Sequence, residues 1–138
     1  LVRTNMKWLL LFAALFALPA HAYSGKELRD DCLAAESAFA ANAASPNVYQ
    51  SPRGARCIGY IEGFADGYAI SDFLSETVGV KLNAFCLPKS PDLSYRLVRS
   101  VLAHLDRQPP NPENSTATLV AAALSKTFPC AESLEPKK

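Results

Sequence analysis

The sequence contains few of the residues on which catalysis and metal binding most often depend. Only two histidines occur among its 138 residues, His21 and His104, together with one tryptophan and one methionine. A serine or cysteine nucleophile needs a neighbouring base, and no G-x-S-x-G motif occurs. The four cysteines are widely spaced, without a C-x-x-C pair to chelate zinc locally. These absences argue against an enzyme, a metal site and a bound cofactor.

An excess of charge of one sign is also lacking. Fourteen basic residues balance thirteen acidic ones, for a formal net charge of +1, which argues against a nucleic-acid partner held by a basic face. The 49% hydrophobic content excludes an intrinsically disordered chain. The length favours a single domain, and apolar residues recur at helical rather than alternating spacing.

The start of the chain has the features of a secretory signal. Two basic residues precede an apolar run over residues 8–18, and Ala20-His21-Ala22 supplies the small residues that a signal peptidase recognises. The run is too short to cross about 30 Å of hydrocarbon. We therefore predict that residues 1–22 are cleaved, that 23–138 form one domain with a frayed tail over 131–138, and that the mature protein is periplasmic without a membrane contact.

Four helices are predicted in the mature chain, which gives an all-α fold: a compact, disulfide-linked bundle with the second helix central. Capping residues mark where each helix starts. The predicted segments run from the capping box Ser24-Gly25-Lys26-Glu27 to about Ala44, over about 55–77, from Ser90-Pro91 to about Arg107, and from Asn111-Pro112 to about Lys126.

The second helix carries a stripe of glycines. Apolar side chains occupy one face, and Gly59, Gly63 and Gly67 lie on nearly the opposite face with Asp66 among them. Each glycine inside a helix costs about 1 kcal/mol, so we predict close approach of another backbone and a helix packed on both sides. Asp66 is then expected to be buried and paired, with one half of a catalytic carboxylate pair as the alternative.

The four cysteines allow three pairings. If the third and fourth helices form an antiparallel hairpin, Cys86 lies beside Cys130, which leaves Cys32 to pair with Cys57. Export to an oxidising compartment favours disulfides over a metal site. The predicted pairs are therefore Cys32–Cys57 and Cys86–Cys130.

With so little catalytic equipment, the function is expected to reside in the surface. Tyr49 and Arg53 lie in the loop 47–53 and are residue types enriched at binding hot spots. The proline-rich turn 106–113 is a second candidate surface. The predicted contact residues of that turn are Asp106, Arg107, Gln108 and Glu113.

Two segments resemble a known family. Residues 57–66, CIGYIEGFAD, resemble the C-x-G-Y-[IV]-x-G-x-x-D signature of the Rap/Tai family of periplasmic immunity proteins. Residues 119–130 resemble the L-V-x-x-A-L … F-P-C close of that family. Cys32 and Cys86-Leu87-Pro88 fit as well, and the resemblance covers most of residues 24–130.

The resemblance implies a helical inhibitor that binds and occludes a peptidoglycan amidase effector delivered by type VI secretion, which protects the producing cell and its siblings. The implied partner is that effector, and a homodimer is a further expectation because some members are dimers. Two other functions remain open. One is a periplasmic helical chaperone or structural adaptor of the acid-stress type, and the other is a small secreted hydrolase that uses Asp66 or His104.

Overall fold

Capping side chains and apolar faces organise the described chain into helices. The computed structural model describes residues 21–41 and 47–131, so most of the predicted signal and the tail beyond Ala131 lie outside the described residues. Within the described ranges the elements are α1 (Gly25–Ala41), a 3-10 helix (Asn47–Gln50), α2 (Pro52–Glu76), α3 (Leu93–Leu105) and α4 (Thr116–Thr127).

The predicted all-α bundle of four helices is confirmed in this part of the chain. α1 packs against both α2 and α3, and α4 packs mainly on α3. None of the helices in the described ranges is long and apolar enough to cross a membrane. The largest side chains that are fully buried in the core include Leu28, Ile58, Ile61, Val98, Leu119 and Leu124.

Two helices begin at caps that the sequence displays clearly. At α1 the Ser24 hydroxyl accepts a hydrogen bond from the Glu27 amide, and the Glu27 carboxylate accepts one from the Ser24 amide, which is the predicted capping box. At α2 the Ser51 hydroxyl accepts from the Gly54 amide and Pro52 takes the first helical position. α2 therefore begins three residues earlier than predicted.

The predicted starts of the last two helices are wrong. α3 begins at Leu93 rather than at Ser90-Pro91, because Ser90 donates to Asp92 and Asp92 is the N-cap. α4 begins at Thr116 rather than at Asn111-Pro112, because the Ser115 hydroxyl accepts from the Thr118 amide and caps the helix there. The connection between α3 and α4 is consequently longer than predicted.

Two disulfides fasten this bundle. Cys32–Cys57 joins α1 to α2 with a Cα–Cα distance of 5.1 Å, and Cys86–Cys130 joins the segment after α2 to the segment after α4 at 4.9 Å. The connectivity is the predicted one. The Cys86 amide also donates to the carbonyl of Phe128 at 2.8 Å, so a backbone hydrogen bond accompanies the second cross-link.

The prediction that α2 is packed on both sides is wrong. Its apolar face contacts α1, α3 and α4, but Gly59, Gly63 and Gly67 are exposed, and a Cβ built at any of them would meet no described atom within 4 Å. Asp66, on the same face, is exposed rather than buried. The reason is that the three neighbouring helices all pack against the apolar face of α2.

Close contacts occur at two other glycines, with side chains at Gly25 and with a backbone carbonyl at Gly54. A Cβ at Gly25 would lie 2.7 Å from the side chain of Leu119, and one at Gly54 would lie 2.8 Å from the carbonyl oxygen of Val48. The glycine at position 54 therefore lets the 3-10 helix, with its buried Val48, lie directly against the start of α2.

The C-terminal part of α2 extends beyond the core. The buried residues of α2 end at Ala65, although the helix continues to Glu76. Gly79 then adopts φ +80, and the Val80 amide bonds to the Ser75 carbonyl, as in a Schellman motif. The chain thereby reverses direction at the end of α2.

The returning segment braces one side of this extension. The Tyr68 hydroxyl accepts from the Ala84 amide at 2.6 Å, and Asp72 accepts from the Leu82 amide at 2.8 Å. The rings of Tyr68 and Phe85 stack with centroids 4.1 Å apart. These contacts lie on the side of α2 that is continuous with its buried face, so the opposite face stays open.

Alanine should have opposite effects on the free energy of unfolding at a closely packed glycine and at an exposed one. Gly54→Ala should lower the free energy of unfolding by about 1–3 kcal/mol, because the new methyl group overlaps a backbone carbonyl. Gly59→Ala, in the same helix, should raise it by up to about 1 kcal/mol through helix propensity. Denaturant unfolding of both variants in dilute protein tests this, and equal losses in the two would contradict it.

Candidate interaction surface

α1 is ion-paired to the helices on both sides of it. Arg29 Nη2 lies 2.9 Å from Asp106 Oδ1, just beyond the end of α3, and Glu36 pairs with Arg99 of α3. On its other side α1 presents Asp31 to the start of α2. The helix therefore fixes the position of α2 relative to the turn that follows α3.

Asp31 is the centre of a buried polar cluster. Only 1% of the residue is exposed. Its Oδ2 accepts from Arg56 Nε and from the Tyr23 hydroxyl, both at 2.6 Å, and its Oδ1 accepts from Arg53 Nε at 3.2 Å. The Arg56 guanidinium also lies over the Tyr23 ring, 5.1 Å from its centroid. Each carboxylate oxygen thus accepts from a charged arginine, and Oδ2 also accepts from the neutral phenol of Tyr23.

These contacts shift the acid–base behaviour of the cluster. Burial acts to raise the pKa of Asp31, but hydrogen bonds from Arg56, Tyr23 and Arg53 outweigh it and hold that pKa below its ordinary value. Burial, followed by the hydrogen bond to Asp31, raises the pKa of the Tyr23 hydroxyl. At neutral pH the cluster therefore holds an ionised carboxylate and a neutral phenol.

Sequence reasoning missed Asp31, although a signal was present. In the sequence Leu28, Cys32, Ala35 and Phe39 follow one another at i, i+4, i+7 and i+11, and they form one buried stripe of α1. At 100° per residue, Asp31 lies within about 60° of Leu28 on the side of that stripe. A carboxylate at such a position must be paired when buried, so the helical period alone indicates a buried ion pair there.

The first predicted contact loop is exposed but anchored. Tyr49 is 60% exposed on the 3-10 helix, while its neighbour Val48 is fully buried. Arg53 points its guanidinium partly into solvent, and the same group bonds to Asp31. Both predicted residues are therefore accessible, and Arg53 is already held in place.

The second predicted loop is accessible as well. Asp106 is bound by Arg29, while Arg107 and Glu113 are exposed. Gln108 is half-buried, with its amide nitrogen 3.5 Å from His104 Nε2. A cleft of about 290 Å³ separates this turn from α1, and its lining includes Lys26, Arg29, Asp30, Asp106, Gln108 and Pro109.

The two predicted loops flank one exposed strip of α1. Lys26 and Asp30 form an ion pair on this strip at 2.9 Å. Asp30 lies near enough to Arg29 and Arg53 for both cations to act with Lys26 in lowering its pKa, the Lys26 hydrogen bond being the largest cause. The strip thus lies between the loop that contains Arg53 and the turn that contains Asp106. The charges of Lys26 and Asp30 on it cancel.

His104 lies in a shallow groove between α3 and α4 and is half-buried. Burial, followed by the charges of Lys126 and Arg107, lowers its pKa. The residues that line this groove of about 220 Å³ are Ser100, Ala103, His104, Arg107, Ala123, Lys126 and Thr127, which include no carboxylate to orient the ring. Among the described residues no cluster of histidine, cysteine and carboxylate ligands is arranged to hold a metal.

A family model for Rap1a immunity proteins matches residues 24–130. The chain belongs to this family. The match begins at the capping box of α1 and ends at the last cysteine of the second disulfide, so it spans the described bundle. No curated protein and no solved structure matches the chain.

Membership in the Rap1a family identifies the chain as a member of a group of immunity proteins, whose partners are protein effectors. The family and the two disulfides together indicate an exported protein. In this Rap1a immunity protein the signature segment 57–66 has two faces. One contributes Cys57 and Ile61 to the core, and the other exposes Gly59, Gly63 and Asp66.

The Asp31 cluster predicts a pH-dependent contribution to stability. Asp31→Asn should lower the free energy of unfolding by about 2 kcal/mol at pH 7, because the charged hydrogen bonds from both arginines are lost. Since the folded pKa of Asp31 is below the unfolded value of about 3.9, the wild-type advantage is complete above the unfolded pKa and disappears as the pH falls through the folded pKa.

Chemical unfolding of the wild type and Asp31→Asn from pH 7 to pH 2 measures this difference. Asp30→Asn is the matched control, because Asp30 only joins an exposed pair with Lys26 that is worth a few tenths of a kcal/mol. A difference between wild type and Asp31→Asn that stays constant down to pH 2 would contradict the assignment.

Proposed function

We propose that the chain is a periplasmic immunity protein that binds and occludes a peptidoglycan amidase effector delivered by type VI secretion. The observation that carries this proposal is the family match over residues 24–130. It acts by stoichiometric binding, without a reaction or a cofactor of its own, and protects the producing cell and its siblings. A second copy of the chain is a further partner, as the family resemblance implies.

The start of the fold supports export with removal of residues 1–22. Tyr23 is the first residue after the predicted cleavage site. Its hydroxyl donates to Asp31, and its carbonyl accepts from the Thr116 hydroxyl. Tyr23 is therefore anchored in the fold, as we expect of the first residue of the mature domain. The two disulfides also fit the oxidising periplasm, where such cross-links persist.

The connection between α3 and α4 is suited to filling an enzyme groove. At the start of this connection Asp106 is bound to Arg29, and prolines at positions 109, 110 and 112 restrict the backbone of the residues that follow. A segment that is already ordered loses little conformational entropy on binding. Because the net charge is near zero, affinity should come from shape and buried anchors more than from long-range attraction.

The proposal is tested by protection of cells that export a cognate amidase to their own periplasm. The full chain should restore growth and should form a complex with the amidase on size-exclusion chromatography. The chain without residues 1–22 should stay in the cytoplasm and should not protect. Failure of the exported chain to protect against every amidase encoded beside its gene, with no complex formed, would contradict the proposed function.

Substitutions at the surface test where the effector binds. Tyr49→Ala combined with Gln108→Ala should weaken the complex about 10-fold or more, because exposed aromatic anchors at interfaces commonly contribute over 1 kcal/mol. Lys89→Ala, at another exposed position, is the matched control. Binding can be measured by calorimetry after unfolding curves establish that all variants are folded. Unchanged affinity in the double variant would exclude this surface.

A further inference from the structure

The outer face of α2 exposes large apolar side chains at its C-terminal end. Phe73 is 67% exposed, Ile70 61% and Leu74 57%, and the turn that follows adds Val78 and Val80. Together these five side chains present on the order of 500 Å² of apolar surface to solvent, which is at the upper end of what monomeric proteins expose. Patches of this size on monomeric proteins often have a function, which makes this one a candidate contact surface.

This apolar patch continues directly into the glycine stripe. On a helix of 3.6 residues per turn, Ile70 and Leu74 lie on the same face as Gly59, Gly63 and Gly67. The central row of the exposed face therefore has no side chains in its first half and bulky ones in its second half. The returning segment over residues 77–85 contacts Tyr68 and Asp72 on the opposite side of α2. None of the described residues therefore covers the glycine face.

The order of small and large residues makes the face complementary to itself. If two copies of α2 cross in antiparallel directions, with a two-fold axis at the level of Tyr68 and Ala69, Gly67 lies opposite Ile70 of the partner subunit. In the same register Gly63 faces Leu74 of the partner subunit, and Gly59 faces Val78 of the partner subunit. Each large side chain then meets a position without one, and Asp66 faces the hydroxyl of Ser71 of the partner subunit.

We propose that the outer face of α2, from Gly59 to Leu74, together with Val78 of the turn that follows, is the homodimer interface, with two copies of α2 packed antiparallel across a two-fold axis. The glycines let the two backbones approach closely, which accounts for three helix-destabilising residues on a face that is open in the single chain. The proposal locates the second copy named as a partner above. Its argument rests on α2 alone, and the effector surface is separate from it.

The area available fits a homodimer. A standard interface buries about 800 Å² per partner, and the exposed apolar side chains account for more than half of that. The glycine turns and the polar residues beside them supply the remainder. An isologous contact of this kind closes on itself, so the assembly stops at two copies.

Sedimentation velocity of the oxidised protein purified from the periplasm tests the interface. The wild type should sediment with twice the chain mass over a range of concentrations. Ile70→Glu should be monomeric, because it places a carboxylate against the partner's α2. Gly63→Gln should raise the dimer dissociation constant at least 10-fold, because a long side chain occupies the space that Leu74 of the partner subunit would fill.

Two further measurements separate loss of the interface from loss of the fold. Glutamine is a strong helix former, so Gly63→Gln should unfold at the same or a higher denaturant concentration than the wild type in dilute protein. Tyr49→Glu, which changes an exposed aromatic residue outside the proposed interface, should stay dimeric. A wild type that is monomeric at every concentration, or a dimer that survives both α2 substitutions, would overturn the proposal.

The protection assay distinguishes this proposal from the proposed function. A chain that dimerises through α2 and does not protect against any amidase would contradict only the immunity role. If the chain is monomeric and protects cells, and if Ile70→Glu or Gly63→Gln abolishes protection, this face binds the effector and the proposed homodimer is wrong.

Discussion

The structure depends on a buried carboxylate that holds the first two helices in register. Asp31 lies one residue before Cys32, so the ion pairs to α2 and the disulfide to α2 act on the same turn of α1. The ion pairs fix the rotation of α1, because only one face can present Asp31 to both arginines. The disulfide fixes the distance between the helices. Tyr23 extends this arrangement to the segment before α1.

α1 also positions other parts of the surface. Its Arg29 binds Asp106, so the turn after α3 is positioned by the same helix that positions Arg53. The two candidate contact loops are far apart in sequence, yet both are fixed relative to one exposed strip. A surface of this kind can recognise a partner by shape, because its parts do not need to be ordered during binding.

Local interactions explain why much of the fold was predictable. The capping box at Ser24 involves neighbours three residues apart, and the helical period is visible in α1 and α3 without knowledge of the packing. The disulfide pairing followed from the expected hairpin of α3 and α4. The candidate site was harder to predict from the sequence: Tyr49 and Arg53 were identified by residue type, but Asp31, which binds Arg53, was not.

The errors concern features that only the tertiary arrangement decides. Ser90-Pro91 and Asn111-Pro112 are acceptable helix starts in isolation, but Asp92 and Ser115 occupy the N-cap positions where α3 and α4 begin in the folded chain. The glycine stripe predicted close approach of another part of the chain, but none of the described residues covers it. The period of a helix does not say whether the molecule that covers such a face is part of the same chain.

The order of the disulfides along the chain bears on how the protein matures. The first cysteine is linked to the second and the third to the fourth, so neither covalent ring encloses or overlaps the other. A chain that enters an oxidising compartment from its N-terminus presents each thiol to its native mate before a competing one emerges. Correct cross-linking then needs an oxidant but no reshuffling of mispaired bonds.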